Sequence, residues 1–221
     1  MTIHLSQRVQ RVKLSANAAA SARAGALAAQ GRDVISLTTG EPDFDTPEFI
    51  KQAAIAALAR GETKYTQTSG SAALRTAICT KYARENQLAF DSSEIIVSNG
   101  GKQVIHGALA ATLDPGDEVI VPAPYWPSFP DIVRINDGEP VIVPCGLEVQ
   151  FKLTPEALAA AITPRTRWVI LNTPGNPSGA MYDRAELAAL AAVLRQHPQV
   201  WILLDELYEH IWFTEQEPAH W

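Results

Sequence analysis

The sequence predicts an α/β domain, a mainly parallel sheet with helices on both faces. Short apolar runs alternate with alanine-rich or amphipathic segments of helical length. One run, Val200 to Leu204 (Val-Trp-Ile-Leu-Leu), carries no polar residue, as a strand covered on both faces requires. Clusters of Gly, Pro and Asn follow several of these runs, where the chain must turn from strand to helix. Strand-helix-strand units of this kind cross over right-handed.

Each element has its own justification. Ser15 can cap a first helix that runs to Gln30 and stops at Gly31, and Val34 to Leu37 is a short strand candidate. Thr38 to Thr46 holds Gly40, Pro42, Asp43 and Asp45 and reads as an irregular loop. Thr46-Pro47 then opens a helix to Arg60, since the hydroxyl can cap free amides and proline gives up none that the helix would use. Ser71 to Asn86 is helical, with Leu74, Ile78 and Tyr82 on one face. Glu94 to Val97 is a strand, Gly101 to Thr112 a helix, Glu118 to Val121 a strand, and Tyr125 to Ile135 a helical or turn-rich stretch interrupted by prolines. Pro140 to Val143 is a strand, Thr154-Pro155 opens a helix to Ile162, Trp168 to Leu171 is a strand, and Asp183 to Leu194 is a helix that leads into the apolar Val200 run.

Composition sets the outer bounds. With 221 residues and 47% hydrophobic content, the chain is expected to form one large domain, or one with a small appendage, rather than a disordered tail. A net charge of -6 without any Lys/Arg run removes the electrostatic basis for a nucleic acid or anionic membrane as partner. No apolar stretch approaches the roughly 20 residues of a membrane span, and Met1 to Gln10 has no signal-peptide core. A cytoplasmic protein is expected. Cys79 and Cys145 lack metal-site spacing and read as free thiols.

In open α/β sheets ligands bind beyond the carboxyl ends of the strands. That rule selects Ser98-Asn99-Gly100-Gly101-Lys102, Pro122-Ala123-Pro124-Tyr125-Trp126, Asn172-Thr173-Pro174-Gly175-Asn176-Pro177 and Asp205-Glu206-Leu207-Tyr208. The first joins strand to helix through two glycines, so amides at a helix start can face an anion beside Lys102; alone, the same sequence also reads as a tight turn. Asp205 follows four apolar residues and would need a cationic or hydrogen-bonding partner, although Asp is also a good helix cap. Tyr208 stands one helical turn on. Trp126 offers either a core lid or a flat stacking surface. Asn172 and Asn176 bracket a turn whose amides could bind a ligand oxygen. Together these groups suit a flat, phosphorylated, heteroaromatic cofactor, the inventory of pyridoxal 5'-phosphate. Glu206, Glu209 and His210, a conceivable metal set, lack a second His and fit that use poorly, so no metal is expected.

These loops, with Gly40-Glu41-Pro42-Asp43-Phe44-Asp45-Thr46-Pro47, Lys64-Tyr65-Thr66 and Asn172 through Gly179, resemble class I aminotransferases of the aspartate aminotransferase type. The resemblance runs in order along almost the whole chain. It implies the large cofactor-binding domain of fold-type I pyridoxal-phosphate enzymes over residues 46–221, incomplete at its C-terminus, preceded by a small-domain helical segment and substrate loop over 1–45. By resemblance, Gly100, Gly101 and Lys102 lie at the cofactor phosphate, Trp126 stacks on the pyridine, Asp205 pairs with the ring nitrogen, and Asn176 and Tyr208 hydrogen-bond the 3-oxygen. Tyr65 would reach the phosphate in the partner subunit, and Gly40, with Trp126 and Asn176, would line the substrate. The implied protein is a homodimer with shared sites that moves an amino group between an aspartate-like amino acid and a 2-oxo acid. A lyase on the same scaffold, or a non-catalytic cofactor-binding or dimerising module, is the alternative.

The family also uses a Schiff-base lysine within a Ser-Lys motif beyond Asp-Glu-x-Tyr. The six lysines here are Lys13, Lys51, Lys64, Lys81, Lys102 and Lys152, and none stands in such a motif. The chain is therefore expected to be the N-terminal portion of an aminotransferase, with no catalytic lysine of its own and no transamination alone.

Overall fold

A computed structural model of the chain describes residues 3–12, 16–38, 40–215 and 217–221. In chain order the elements are α1 (Gln7–Gln10), α2 (Ala16–Ala29), α3 (Glu48–Ala59), α4 (Ala72–Lys81), α5 (Gly101–Thr112), β1 (Glu118–Ala123), α6 (Ser128–Ile135), β2 (Glu139–Pro144), α7 (Pro155–Ala161), β3 (Thr166–Asn172), α8 (Arg184–Leu194) and β4 (Trp201–Asp205). The chain divides into two compact units, one made of residues 16–98 and the other of residues 1–15 with 99–221.

The second unit is the α/β body. Its four strands lie in the order β2-β1-β3-β4, and every pairing is parallel. Period-two alternation divides the sheet's side chains between two cores. Ile120, Val169 and Leu171 face one core with Leu158 of α7 and Leu187, Leu190 and Leu194 of α8. Val119, Val121, Trp168 and Ile170 face the other with Ile105 and Leu109 of α5 and Phe129 and Val133 of α6. Helices thus cover both faces, as the alternation of elements predicts. The chain leaves β1 to one side for β2 and returns to the other side for β3, so the direction of winding switches between β1 and β3, where crevices open in such sheets.

Local chemistry fixes the helix starts. The Thr154 hydroxyl accepts from Ala157 N–H ahead of Pro155. Asp183 and Glu186 form a reciprocal capping box on α8. Buried Glu118, at the start of β1, is paired with Arg165 and accepts from the Thr163 hydroxyl, which satisfies a carboxylate that the interior would otherwise disfavour.

In the unit of residues 16–98, Ser71 caps α4 by accepting from Leu74 N–H at 3.3 Å, and the helix continues into a π turn over Tyr82–Asn86. Several expectations need correction. Val34–Leu37 is irregular and exposed, with Leu37 90% accessible. Glu94–Val97 gives a 3-10 turn over Ser92–Glu94 and then extended backbone, where Val97 N–H reaches the Ser69 carbonyl at 3.0 Å. An apolar run becomes a strand only beside an edge that completes its ladder, and neither segment has one among the described residues. Thr46 does not cap α3; Pro47 is the N-cap residue and makes no side-chain bond. The Ser15 cap lies outside the described residues. In the α/β body, helix forms only over Ser128–Ile135 within the Tyr125 stretch, starting after Pro127. β4 is an edge strand rather than one buried on both faces, and Trp201 at its start is 62% accessible.

The α8 face is the most direct stability test. Leu190 is almost wholly buried, so Leu190→Ala removes packed volume from the first core and lowers unfolding free energy by about 2 to 5 kcal/mol. Urea unfolding followed by circular dichroism reads this; a loss below about 1 kcal/mol would contradict the packing.

Candidate functional site

The carboxyl ends of three strands and the start of one helix meet at a cavity of about 280 Å³. Its walls include Gly100, Gly101 and Lys102 from the start of α5, Trp126 beyond β1, Asn172 and Asn176 from the end of β3 and its loop, and Asp205 and Tyr208 from the end of β4. Of the residues singled out from sequence, Gly100, Gly101, Lys102, Trp126, Asn176, Asp205 and Tyr208 come together here. Gly40 and Tyr65 belong to the other unit, where both are exposed.

Each wall follows from its local structure. Gly100 precedes α5 with φ at 86°, a conformation that disfavours any side chain. It brings the chain into the helix at Gly101 and Lys102, the first-turn positions that line the cavity, where helix-start amides can serve an anion. The Lys102 ammonium lies 5.1 Å from the centre of the Trp126 ring, within cation-π range. Trp126 is fixed edge-on against Phe129, with centroids 5.4 Å apart. It is half-buried, joining core and cavity.

The loop after β3 is pinned from within. Gly175 N–H donates to the Ala180 carbonyl at 2.9 Å, and Gly179 N–H donates to the Gly175 carbonyl at 2.7 Å. Tyr182 closes the loop's far end, where its hydroxyl accepts from Leu153 N–H at 2.7 Å. Burial pushes that phenol up to about 12, so it stays protonated. The Thr173–Pro174 and Asn176–Pro177 peptides are cis. Asn176 Nδ2 donates to the Tyr208 hydroxyl at 3.3 Å.

Asp205 is the electrostatic centre. No helix follows it; residues 207–210 form a turn, and one carboxylate oxygen accepts from Leu207 N–H at 3.2 Å. No cation pairs with it among the described residues. Burial raises its pKa, and the Leu207 hydrogen bond opposes that shift in part. A half-buried carboxylate with a spare oxygen at a cavity wall is suited to a protonated nitrogen.

Ile105 of α5, which supplies apolar lining, is marked by no motif; Leu207, also in the lining, falls within the Asp205 to Tyr208 loop, where sequence reasoning gives it no role. Sequence reasoning weighs Glu206, Glu209 and His210 as a metal set and sets it aside. The group whose ligand atoms lie within 4.8 Å of one another is instead Glu206, Glu209 and His220, with His220 Nδ1 2.8 Å from Glu206; His210 is exposed and stands 3.9 Å from Glu209.

A family model described as aminotransferase class I and II matches residues 32–220. The chain belongs to this family. Among its curated relatives, an aspartate/prephenate aminotransferase of Cereibacter sphaeroides is 56% identical over 211 residues, 96% of this chain and 53% of the relative. An aspartate aminotransferase of Rhizobium meliloti is 53% identical over 204 residues, 92% of this chain and 50% of the relative. The crystal structure of a Rhizobium meliloti aspartate aminotransferase superposes with a TM-score of 0.97 at 49% identity, covering 99% of this chain and 55% of that one. The Thermus thermophilus enzyme with maleate gives 0.93 at 45% identity, covering 99% of this chain and 57% of that one. The chain spans about half the length of the curated aminotransferases it matches.

The raised pKa of Asp205 has a definite sign. The folded state holds this proton more tightly than the unfolded chain, so the carboxylate subtracts stability as pH rises above its ordinary value of 3.8. In the cofactor-free chain, Asp205→Asn therefore raises the melting temperature at pH 7, and the gain shrinks as pH falls towards 4. Melting curves at both pH values check this; a destabilised variant at pH 7 would contradict it.

Proposed function

We propose that the chain forms the noncovalent cofactor site of a pyridoxal-5'-phosphate-dependent aminotransferase exchanging an amino group between an aspartate-like amino acid and a 2-oxo acid. The observation that carries this reading is the meeting, in one cavity, of helix-start amides with Lys102, the Trp126 indole, the Asp205 carboxylate, and Asn176 with Tyr208. The donor set fits the cofactor at its phosphate, its ring nitrogen and its 3-oxygen. The relatives' names, aspartate and aspartate/prephenate aminotransferase, support the substrate class, as does maleate, a dicarboxylate, with the Thermus enzyme.

Bound pyridoxal phosphate supplies an electron sink for the bond broken at the substrate's α-carbon. The residues prepare it. The amides of Gly100 and Gly101, at the entry to α5, and the Lys102 ammonium hold the phosphate. Trp126 gives the ring a flat apolar surface. Asp205 keeps the ring nitrogen protonated, and the pairing relieves the cost of burying its own charge. The Asn176 amide and the Tyr208 hydroxyl hydrogen-bond the 3-oxygen, and Trp126 and Asn176 border the substrate. A homodimer with shared sites, in which Tyr65 reaches the partner's cofactor phosphate, fits the full exposure of Tyr65 and the absence of any buried residue on α3. Lys102 is the one lysine among the cavity residues, and its place is at the phosphate. By itself the 221-residue chain therefore binds the cofactor reversibly and does not transaminate.

Fluorescence titration with pyridoxal phosphate tests this. Saturable binding is expected, reversed by dialysis and leaving no added mass after borohydride reduction, with Asp205→Ala weakening it by about tenfold or more. Absence of binding, or an unaffected Asp205→Ala, would contradict the assignment. Sedimentation velocity is expected to show a dimer; a monomer at micromolar concentration would remove the shared-site reading.

A further inference from the structure

We propose that Asn172 is a positioning residue whose side chain latches the ring-nitrogen side of the site, at Asp205, to the 3-oxygen side, at Asn176 and Tyr208. The proposal rests on the cofactor reading above and assigns a role that the cofactor-contacting residues do not cover.

Asn172 is the last residue of β3 and the register partner of Asp205 on β4. Both ends of its amide are engaged. Nδ2 donates to the Asp205 carbonyl at 2.9 Å, and Oδ1 accepts from Asn176 N–H at 2.7 Å. The same Asp205 carbonyl accepts from Thr173 N–H at 3.1 Å, so backbone and side chain secure the strand end together. Asn176 in turn donates to Tyr208 at 3.3 Å, and Tyr208 is three residues from Asp205 along the chain. These links close a ring: Asp205, Asn172, Asn176, Tyr208 and back through the backbone. Asn172 is the member that joins the two strand ends.

The residue type follows from the geometry. The position needs one donor and one acceptor on a short stem. Asp has no donor, Leu has neither, and Gln is a methylene longer. Pro174 and Pro177 deprive the loop of two backbone N–H groups, which gives the Asn176 amide more weight as a tether. Catalytic geometry tolerates displacements well under 1 Å, so a loop free to shift would separate the two contacts on the cofactor ring.

The test compares the wild-type chain with Asn172→Ala and the isosteric Asn172→Asp, reading amide hydrogen exchange at Asn176 by NMR and cofactor affinity by fluorescence titration. In Asn172→Ala, exchange at Asn176 is expected to quicken at least tenfold and the Kd for pyridoxal phosphate to rise about ten- to thirtyfold. Asn172→Asp keeps the acceptor, so Asn176 stays protected within about twofold, yet its second oxygen faces the Asp205 carbonyl and affinity falls as in Asn172→Ala. This split separates a latch from a space-filling role. An Asn172→Asp chain that matches wild type in both readouts, or an Asn172→Ala chain that keeps Asn176 protection, would overturn the proposal. Failure of the wild-type chain to bind pyridoxal phosphate would instead defeat the cofactor reading, and Asn176 exchange would still decide whether the latch exists.

Discussion

The register between β3 and β4 is the constraint on which the site depends. It runs from Trp168 opposite Trp201 to Asn172 opposite Asp205, so one uninterrupted parallel ladder delivers a polar pair to the carboxyl edge of the sheet. A slip of one residue would turn every side chain on β4 to the other face, taking Asp205 out of the cavity and Ile202 and Leu204 away from the α8 core. Packing and chemistry are therefore specified by the same hydrogen bonds.

Around that ladder the remaining contributions are placed rather than generated. The switch in winding between β1 and β3 opens the crevice. The glycine-led start of α5 lines it, and the Trp126 indole, braced by Phe129, forms an apolar wall. Each of these groups has an ordinary structural role as well, helix cap, core lid or strand end. Their convergence on one volume is what distinguishes a site from three unrelated turns.

Much of this was legible in the residues, and the exceptions have physical causes. Alternation of apolar runs and helical segments suffices for β1 to β4, because each has a neighbour and a helix to cover it. Val34–Leu37 and Glu94–Val97 have the same local character but no adjacent edge among the described residues, and pairing is a long-range property that a short run does not encode. Thr46 carries a good capping group, yet the helix begins one residue later behind Pro47. At the cavity, the strand-end rule selects the loops after β1, β3 and β4, whereas Ser98 to Lys102 arrives at a helix start with no strand before it; Gly-Gly, Pro-Gly-Asn-Pro and Asp after an apolar run are strong local marks. The double role of Asn172 was hidden: its partners are four residues away in one direction and 33 in the other, and only the folded register joins them. His220 likewise approaches Glu206 only through the fold.

Asp205, presented by β4, is proposed to keep the ring nitrogen of bound pyridoxal phosphate protonated. The most direct measurement is the 15N chemical shift of ring-labelled pyridoxal phosphate bound to the chain across neutral pH. The account predicts a protonated pyridine nitrogen at pH 7 to 8 in the wild type and an unprotonated one in Asp205→Ala; an unprotonated nitrogen in the wild-type complex would contradict it.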